Sequence, residues 1–121
     1  MSQRKEIRYQ LDPPARGNFG GQGACLIKDI NFQGLNVVSG YSPPVGGNAL
    51  VFIPAAGGHT PIPVKVLESQ ACCPDEEARR HFAEGIVFSI HCSISDLNDD
   101  TRGSIVRLLE SNFSRLQSET M

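Results

Sequence analysis

Ala24-Cys25-Leu26-Ile27-Lys28-Asp29-Ile30, then Asn31-Phe32-Gln33-Gly34, then Leu35-Asn36-Val37-Val38 reads as strand, turn and strand. The first run is mostly apolar, the middle carries turn formers, and the last alternates. Two strands joined by so short a loop run antiparallel. The chain on either side repeats the theme. Upstream, residues 1–8 form a charged arm. Tyr9-Gln10-Leu11 starts a strand that Asp12-Pro13-Pro14 is expected to stop, and Arg16 to Gly23 reads as a glycine-rich turn or loop. Downstream, Ser39 to Asn48 is a connector with Pro43-Pro44 and Gly46-Gly47. Ala49 to Ile53 is a strong apolar strand, and Pro54 to Thr60 turns the chain. Ile62 to Glu68 alternates again, its proline favouring an edge or a strand start.

Residues 69–81 are polar and carry Asp75-Glu76-Glu77 and Arg79-Arg80. They read as a solvated hairpin loop or a short helical turn. Ala83 to Ile90 is a further strand. After Asp100 the period changes, with Ile105, Leu108, Leu109, Phe113 and Leu116 at helical spacing. This predicts a helix over about 98–117, capped by Ser95, Asp96 or Asn98 with acidic residues in its first turn. The fold class is therefore all-β with a C-terminal helix. Five or six short strands at regular intervals favour a small antiparallel barrel over a βαβ arrangement. The helix should lie over one opening or edge of that barrel.

Composition narrows the function. The chain has 121 residues, 40% of them apolar and 20% charged, enough for a single domain with a core (residues 9–121 behind the 1–8 arm). A formal net charge of −2 gives no basis for binding a nucleic-acid polymer. No apolar run approaches the length that spans a bilayer, and residues 2–6 are polar, unlike a signal peptide. A cytoplasmic location is expected, so Cys25, Cys72, Cys73 and Cys92 should be reduced thiols. They lack CxxC spacing, and His59, His81 and His91 form no HExxH, so no metal is expected. A thiol nucleophile at Cys72, Cys73 or Cys92 with His81 or His91 as base lacks any supporting motif, and no enzymatic activity is expected.

A binding reading is better supported. Arg4-Lys5-Glu6-Ile7-Arg8 offers two guanidiniums four residues apart, and Asp29 follows 21 positions after Arg8. Arginine forks match phosphate oxygens and the O6/N7 edge of guanine. A carboxylate accepts from guanine N–H groups or orients an arginine. The pair of segments suits an anionic ligand that also presents purine edges.

Arg4 and Arg8, then Asp29, Asn31 and Gly34, resemble the split RxxxR and (D/N)x(S/A)xxG motif of the PilZ domain, the bacterial receptor domain for cyclic di-GMP. The strand pair around Gly34, the segment Glu84-Gly85-Ile86-Val87-Phe88 and the closing helix extend the resemblance over most of residues 4–116. It implies a six-stranded antiparallel PilZ-type β-barrel, split-barrel-like, with a C-terminal helix. It implies cyclic di-GMP as the ligand, with no other cofactor. Arg4 and Arg8 would grip its phosphates and guanine Hoogsteen edges. Asp29 would hold a guanine edge or an arginine, Asn31 would add a polar contact, and Gly34 would permit a tight turn and close backbone approach. Lys5 would add only charge.

The sequence departs from the pattern in three places. Asn31 replaces a small Ser or Ala, Gln33 stands where many relatives have a second glycine, and Gln3 stands where some carry a third arginine. The last favours one bound molecule over a stacked pair. The family's outputs are motility, pili, exopolysaccharide and biofilm control, through ordering of the arm and recruitment of a protein partner. The alternative is a PilZ-fold interaction adaptor that binds no nucleotide.

Overall fold

A computed structural model of the chain describes residues 9–20, 23–55, 57–82 and 85–120, the side chains of Asp12 and of residues 112–120 excepted. Six strands, β1 (Tyr9–Phe19), β2 (Ala24–Ile30), β3 (Gly34–Ser39), β4 (Asn48–Ala55), β5 (Gly58–Cys72) and β6 (Val87–Ile94), are joined by two helices, α1 (Glu76–His81) and α2 (Asp99–Thr120). The strands close into a barrel in the order β1-β2-β3-β6-β5-β4, every pairing antiparallel. The expected all-β barrel with a C-terminal helix is the fold observed.

A six-stranded barrel is narrow enough for side chains to fill it. Ile27, Ile30, Leu35, Val37, Val51, Ile53, Ile62, Val64, Ile90 and Cys92 point inward and are wholly buried. α2 contributes Ile105 and Leu108 to the same core and packs across β4, β1 and β5. Its start is fixed by Asn98, whose Oδ1 accepts from the Thr101 N–H at 2.8 Å. Of the three candidate caps, Asn98 is therefore the one that satisfies a first-turn donor.

Three expectations need correction. Asp12-Pro13-Pro14 does not stop β1. The register runs Gln10 with Asp29 and resumes at Ala15 with Ile27, so the extra residues are absorbed as a bulge and the strand continues to Phe19. The prolines lack an N–H, but a bulge leaves residues outside the ladder, where none is required. The presumed loop from Arg16 is strand as far as Phe19. Gly17 makes that possible, because a Cβ there would collide with the Phe52 carbonyl oxygen of β4. Third, β6 begins at Val87 rather than Ala83 and runs on to Ile94. Ala83 and Glu84 lie outside the described residues.

β4 and β5 are also longer than their sequence pattern suggested. They pair from Asn48 with Lys65 out to Ala55 with Gly58, carrying Pro54, Pro61 and Pro63 into the strands. β5 meets β6 only from Val64 onward, and β4 meets β1 at Val51 and Phe52. The end of this hairpin therefore projects past its neighbours.

The polar 69–81 segment divides between the end of β5 and α1. Ala78 and Phe82 cover Leu26, Val38 and Val87 on the outer face of the sheet, making a second small core. Asp75 anchors it twice: Oδ1 accepts from the Ala78 N–H at 2.8 Å and Oδ2 from Lys28 Nζ at 2.9 Å. The Lys28 contact, then the Ala78 N–H, lower the Asp75 pKa from its ordinary value. A carboxylate whose folded value is depressed stabilises fully above the unfolded value, and the effect fades as pH falls through the folded one. Asp75→Ala should cost about 0.5–2 kcal/mol near neutral pH, the range for losing an N-cap. That difference should shrink on approach to pH ~2, as read by urea melts of both proteins across the pH range.

Candidate functional site

Strand alternation would send Lys28 and Asp29 to opposite faces of β2. Both are half-buried, while Ile27 and Ile30 on either side are fully buried in the core. The register between β2 and β3 explains this. It shifts between Ile27 and Asp29, so Lys28 is the extra residue of a bulge. A bulge resets the phase of the strand and re-aims its side chains. Here it turns Lys28 and Asp29 outward together and returns Ile30 to the core.

Asp29 thereby joins a row across five strands. Gln10 of β1 pairs with Asp29, Asp29 with Asn36 of β3, Asn36 with His91 of β6, and His91 with Glu68 of β5. Directly paired residues project on the same side of a sheet. The row is a polar band on the outside of the barrel. Asn36 Nδ2 donates to both Asp29 oxygens, at 2.9 and 3.2 Å, and so fixes the carboxylate. A carboxylate held this way can accept from the N–H groups of a guanine or orient a guanidinium.

The turn that follows is built by Asn31. Its Oδ1 accepts from the Gln33 N–H at 2.8 Å and from the Gly34 N–H at 2.9 Å, and its own N–H donates to the Gly34 carbonyl at 2.9 Å. Asn31 is buried. The amide oxygen thus shapes the loop, a use open to Asn and poorly suited to Ala. Gly34 does not owe its place to a left-handed backbone, since it is not among the glycines with positive φ. It sits opposite Ser93 at the start of β3, and an added Cβ would lie 2.5 Å from the Cys92 carbonyl oxygen. Close approach of β6, not turn geometry, requires the glycine. Phe32 at the tip of the turn carries the Arg102 guanidinium of α2, 4.9 Å from the ring centre.

Of the five residues singled out from the sequence, Asp29, Asn31 and Gly34 are brought together at one end of β2 and β3. Arg4 and Arg8 lie outside the described residues. Gln10, Lys28, Asn36, His91 and Glu68 were missed. The signal for Lys28 was present in the spacing of the buried isoleucines at 27 and 30, which breaks strict alternation. The others depend on register between strands distant in sequence. A cleft of about 270 Å³ adjoins the row, lined by Gln10, Leu11, Pro14, Lys28, Asp75 and Glu77.

The thiols divide by location. Cys72 and Cys73 are exposed, while Cys25 and Cys92 are buried. Burial, with Cys92 nearby, pushes the Cys25 thiol up to about 12, and burial alone does the same for Cys92. Burial thus favours the thiol form of Cys92, the less nucleophilic one. Among the described residues no group of three or more His, Cys, Asp or Glu could hold a metal ion, and no helix is long and apolar enough to cross a membrane.

No family model matches the chain, and no curated protein does. Among solved structures it is similar to MrkH of K. pneumonia in its apo state, with a TM-score of 0.62 and 17% sequence identity. The alignment covers 98% of this chain and 56% of that one, so the chain spans little more than half the length of MrkH. At this identity the likeness concerns the fold.

Asn31→Ala leaves two backbone donors without their acceptor and should cost about 1–3 kcal/mol. Gly34→Ala forces β3 away from β6 and should cost a comparable ~1–3 kcal/mol. Both are measured by denaturant unfolding.

Proposed function

We propose that this chain is a PilZ-type receptor domain for cyclic di-GMP, with Arg4, Arg8, Asp29, Asn31 and Gly34 forming its binding site. The observation that carries the reading is the register of β1. Tyr9 pairs with Ile30 and Gln10 with Asp29, so the chain enters the barrel beside the Asp29–Gly34 turn. Arg8 is covalently bonded to Tyr9, and Arg4 precedes it by four residues. Tyr9, the residue joined to the first half of the motif, thus lies next to the second half, and this supports the reading. The fixed Asp29 carboxylate supplies an acceptor for guanine N–H groups, and the arginines supply forks for phosphate and Hoogsteen edges. The similarity of the barrel to a protein solved in an apo state is consistent with a ligand-binding fold.

In this reading Asn31 acts mainly through the backbone it holds, because its Oδ1 already accepts from two N–H groups. Binding orders the residue 1–8 arm over the nucleotide and changes the surface offered to a protein partner in the cytoplasm. Motility, pilus, exopolysaccharide and biofilm machinery are the candidate targets. One observation favours the second reading, a nucleotide-independent adaptor on the same barrel. Asn31 is buried, and its Oδ1 is engaged by the turn.

Isothermal titration of cyclic di-GMP into the protein with its native N-terminus separates them. The receptor reading expects binding on the order of micromolar or tighter, about −8 kcal/mol, with one molecule per chain. An Arg4→Ala/Arg8→Ala double variant should lose at least about tenfold in affinity. Absence of heat from the native protein sinks the receptor reading and favours the adaptor.

A further inference from the structure

We propose that Lys28 is an additional ligand-contacting residue, which exchanges Asp75 for a phosphate of the bound nucleotide and so ties occupancy of the site to the hold on α1. This deepens the receptor reading and rests on it. Lys28 lies outside the motif that suggested the site. The bulge places it on the same outer face as Asp29, at the border between two regions. On one side is the polar row of Asp29, Asn36 and His91. On the other is the small apolar core that α1 makes with Leu26, Val38 and Val87.

The ammonium now meets Asp75 Oδ2 at 2.9 Å, with the two side chains 34% and 56% exposed. A pair this open to water is weak enough to be exchanged for another anion, yet it adds to the cap and the apolar packing that hold α1. A phosphate offers the same donor a charge-assisted bond and more acceptor oxygens. The exchange needs no backbone movement in β2, because the lysine stem is flexible and the cleft that holds its head also contains Gln10, the partner of Asp29. Asp75 would keep its bond to the Ala78 N–H, so α1 would retain its cap while losing its tether to β2. The remaining carboxylates at the cleft, Asp75 and Glu77, would then face the arriving anion. Glu77 has its own partners, the Arg80 guanidinium at 3.6 Å and the His81 ring at 3.3 Å. Asp75 is therefore the group that opposes binding in this arrangement.

Two substitutions move affinity in opposite directions. Lys28→Met keeps the stem and removes the charge, and should weaken cyclic di-GMP binding about fivefold to tenfold. Asp75→Asn keeps an N-cap acceptor for Ala78 but frees Lys28, and should tighten binding about threefold. Hydrogen exchange at residues 76–82 should accelerate when the ligand is added to the unsubstituted protein. In Lys28→Met it should already be fast without ligand. Opposite shifts in affinity together with the exchange response support the proposal. Equal binding by all three proteins, weakening by both variants, or an α1 indifferent to ligand overturns it and leaves the receptor reading standing. No binding by the unsubstituted protein overturns both.

Discussion

A closed barrel must be filled from within, and every strand has to deliver apolar side chains to the interior in the right phase. That constraint governs the rest of this structure. Strict alternation along β2 would carry Asp29 into the core and expel Ile30. The chain avoids this with one extra residue at Lys28, which keeps Ile27 and Ile30 inside and sends two charged side chains out. Similar resets occur in β1 around the prolines and in β5 between Val66 and Glu68. Each bulge preserves packing and, as a by-product, decides which polar groups share the outer surface. The candidate site is thus a consequence of how the core is kept apolar.

The same logic explains where the site ends. Along the outer face of β2, β3 and β6, apolar residues under α1 give way to Lys28 and then to the Asp29–Asn36–His91 row. Beyond that row lie Gly34 and Ser93, where a side chain at Gly34 would collide with the Cys92 carbonyl oxygen of β6. A bulky group laid across this face has an apolar wall on one side and a close strand contact on the other. The turn at Asn31–Gly34 is in turn linked to α2 by Arg102 over Phe32. α2 thus touches the border of the site through Arg102, and α1 through its N-cap Asp75, bonded to Lys28, and through Glu77 in the adjoining cleft.

Much of this was legible in the sequence. The strand-turn-strand unit, a count of five or six strands and the closing helix followed from alternation, turn residues and the helical spacing around Ile105. Asp29, Asn31 and Gly34 were found together because they are close in sequence. What escaped was set by distant partners. The path of β1 through Pro13 and Pro14 depends on a register with β2 that no local rule contains. The strand character of Gly17 depends on the carbonyl of Phe52. The strand β6 was placed too early because Ile86, apolar and β-branched in the sequence, is exposed and precedes the ladder pair of Cys72 with Val87. Gly34 was identified correctly as a constraint, but the partner that imposes it, Cys92, lies far along the chain.

The projecting end of the β4–β5 hairpin has a separate meaning. A closed sheet offers no free margin to another chain, but this hairpin extends past β6 and past the short seam with β1. Over that stretch a strand edge is left without a neighbour, and another molecule could meet it. Pro54, Pro61 and Pro63 fall there, each removing a backbone donor that an incoming strand would need. Pro54, read from the sequence as opening a turn, lies in β4 instead, while Pro63, read as an edge or strand-start residue, stands in β5 ahead of its pairing with β6.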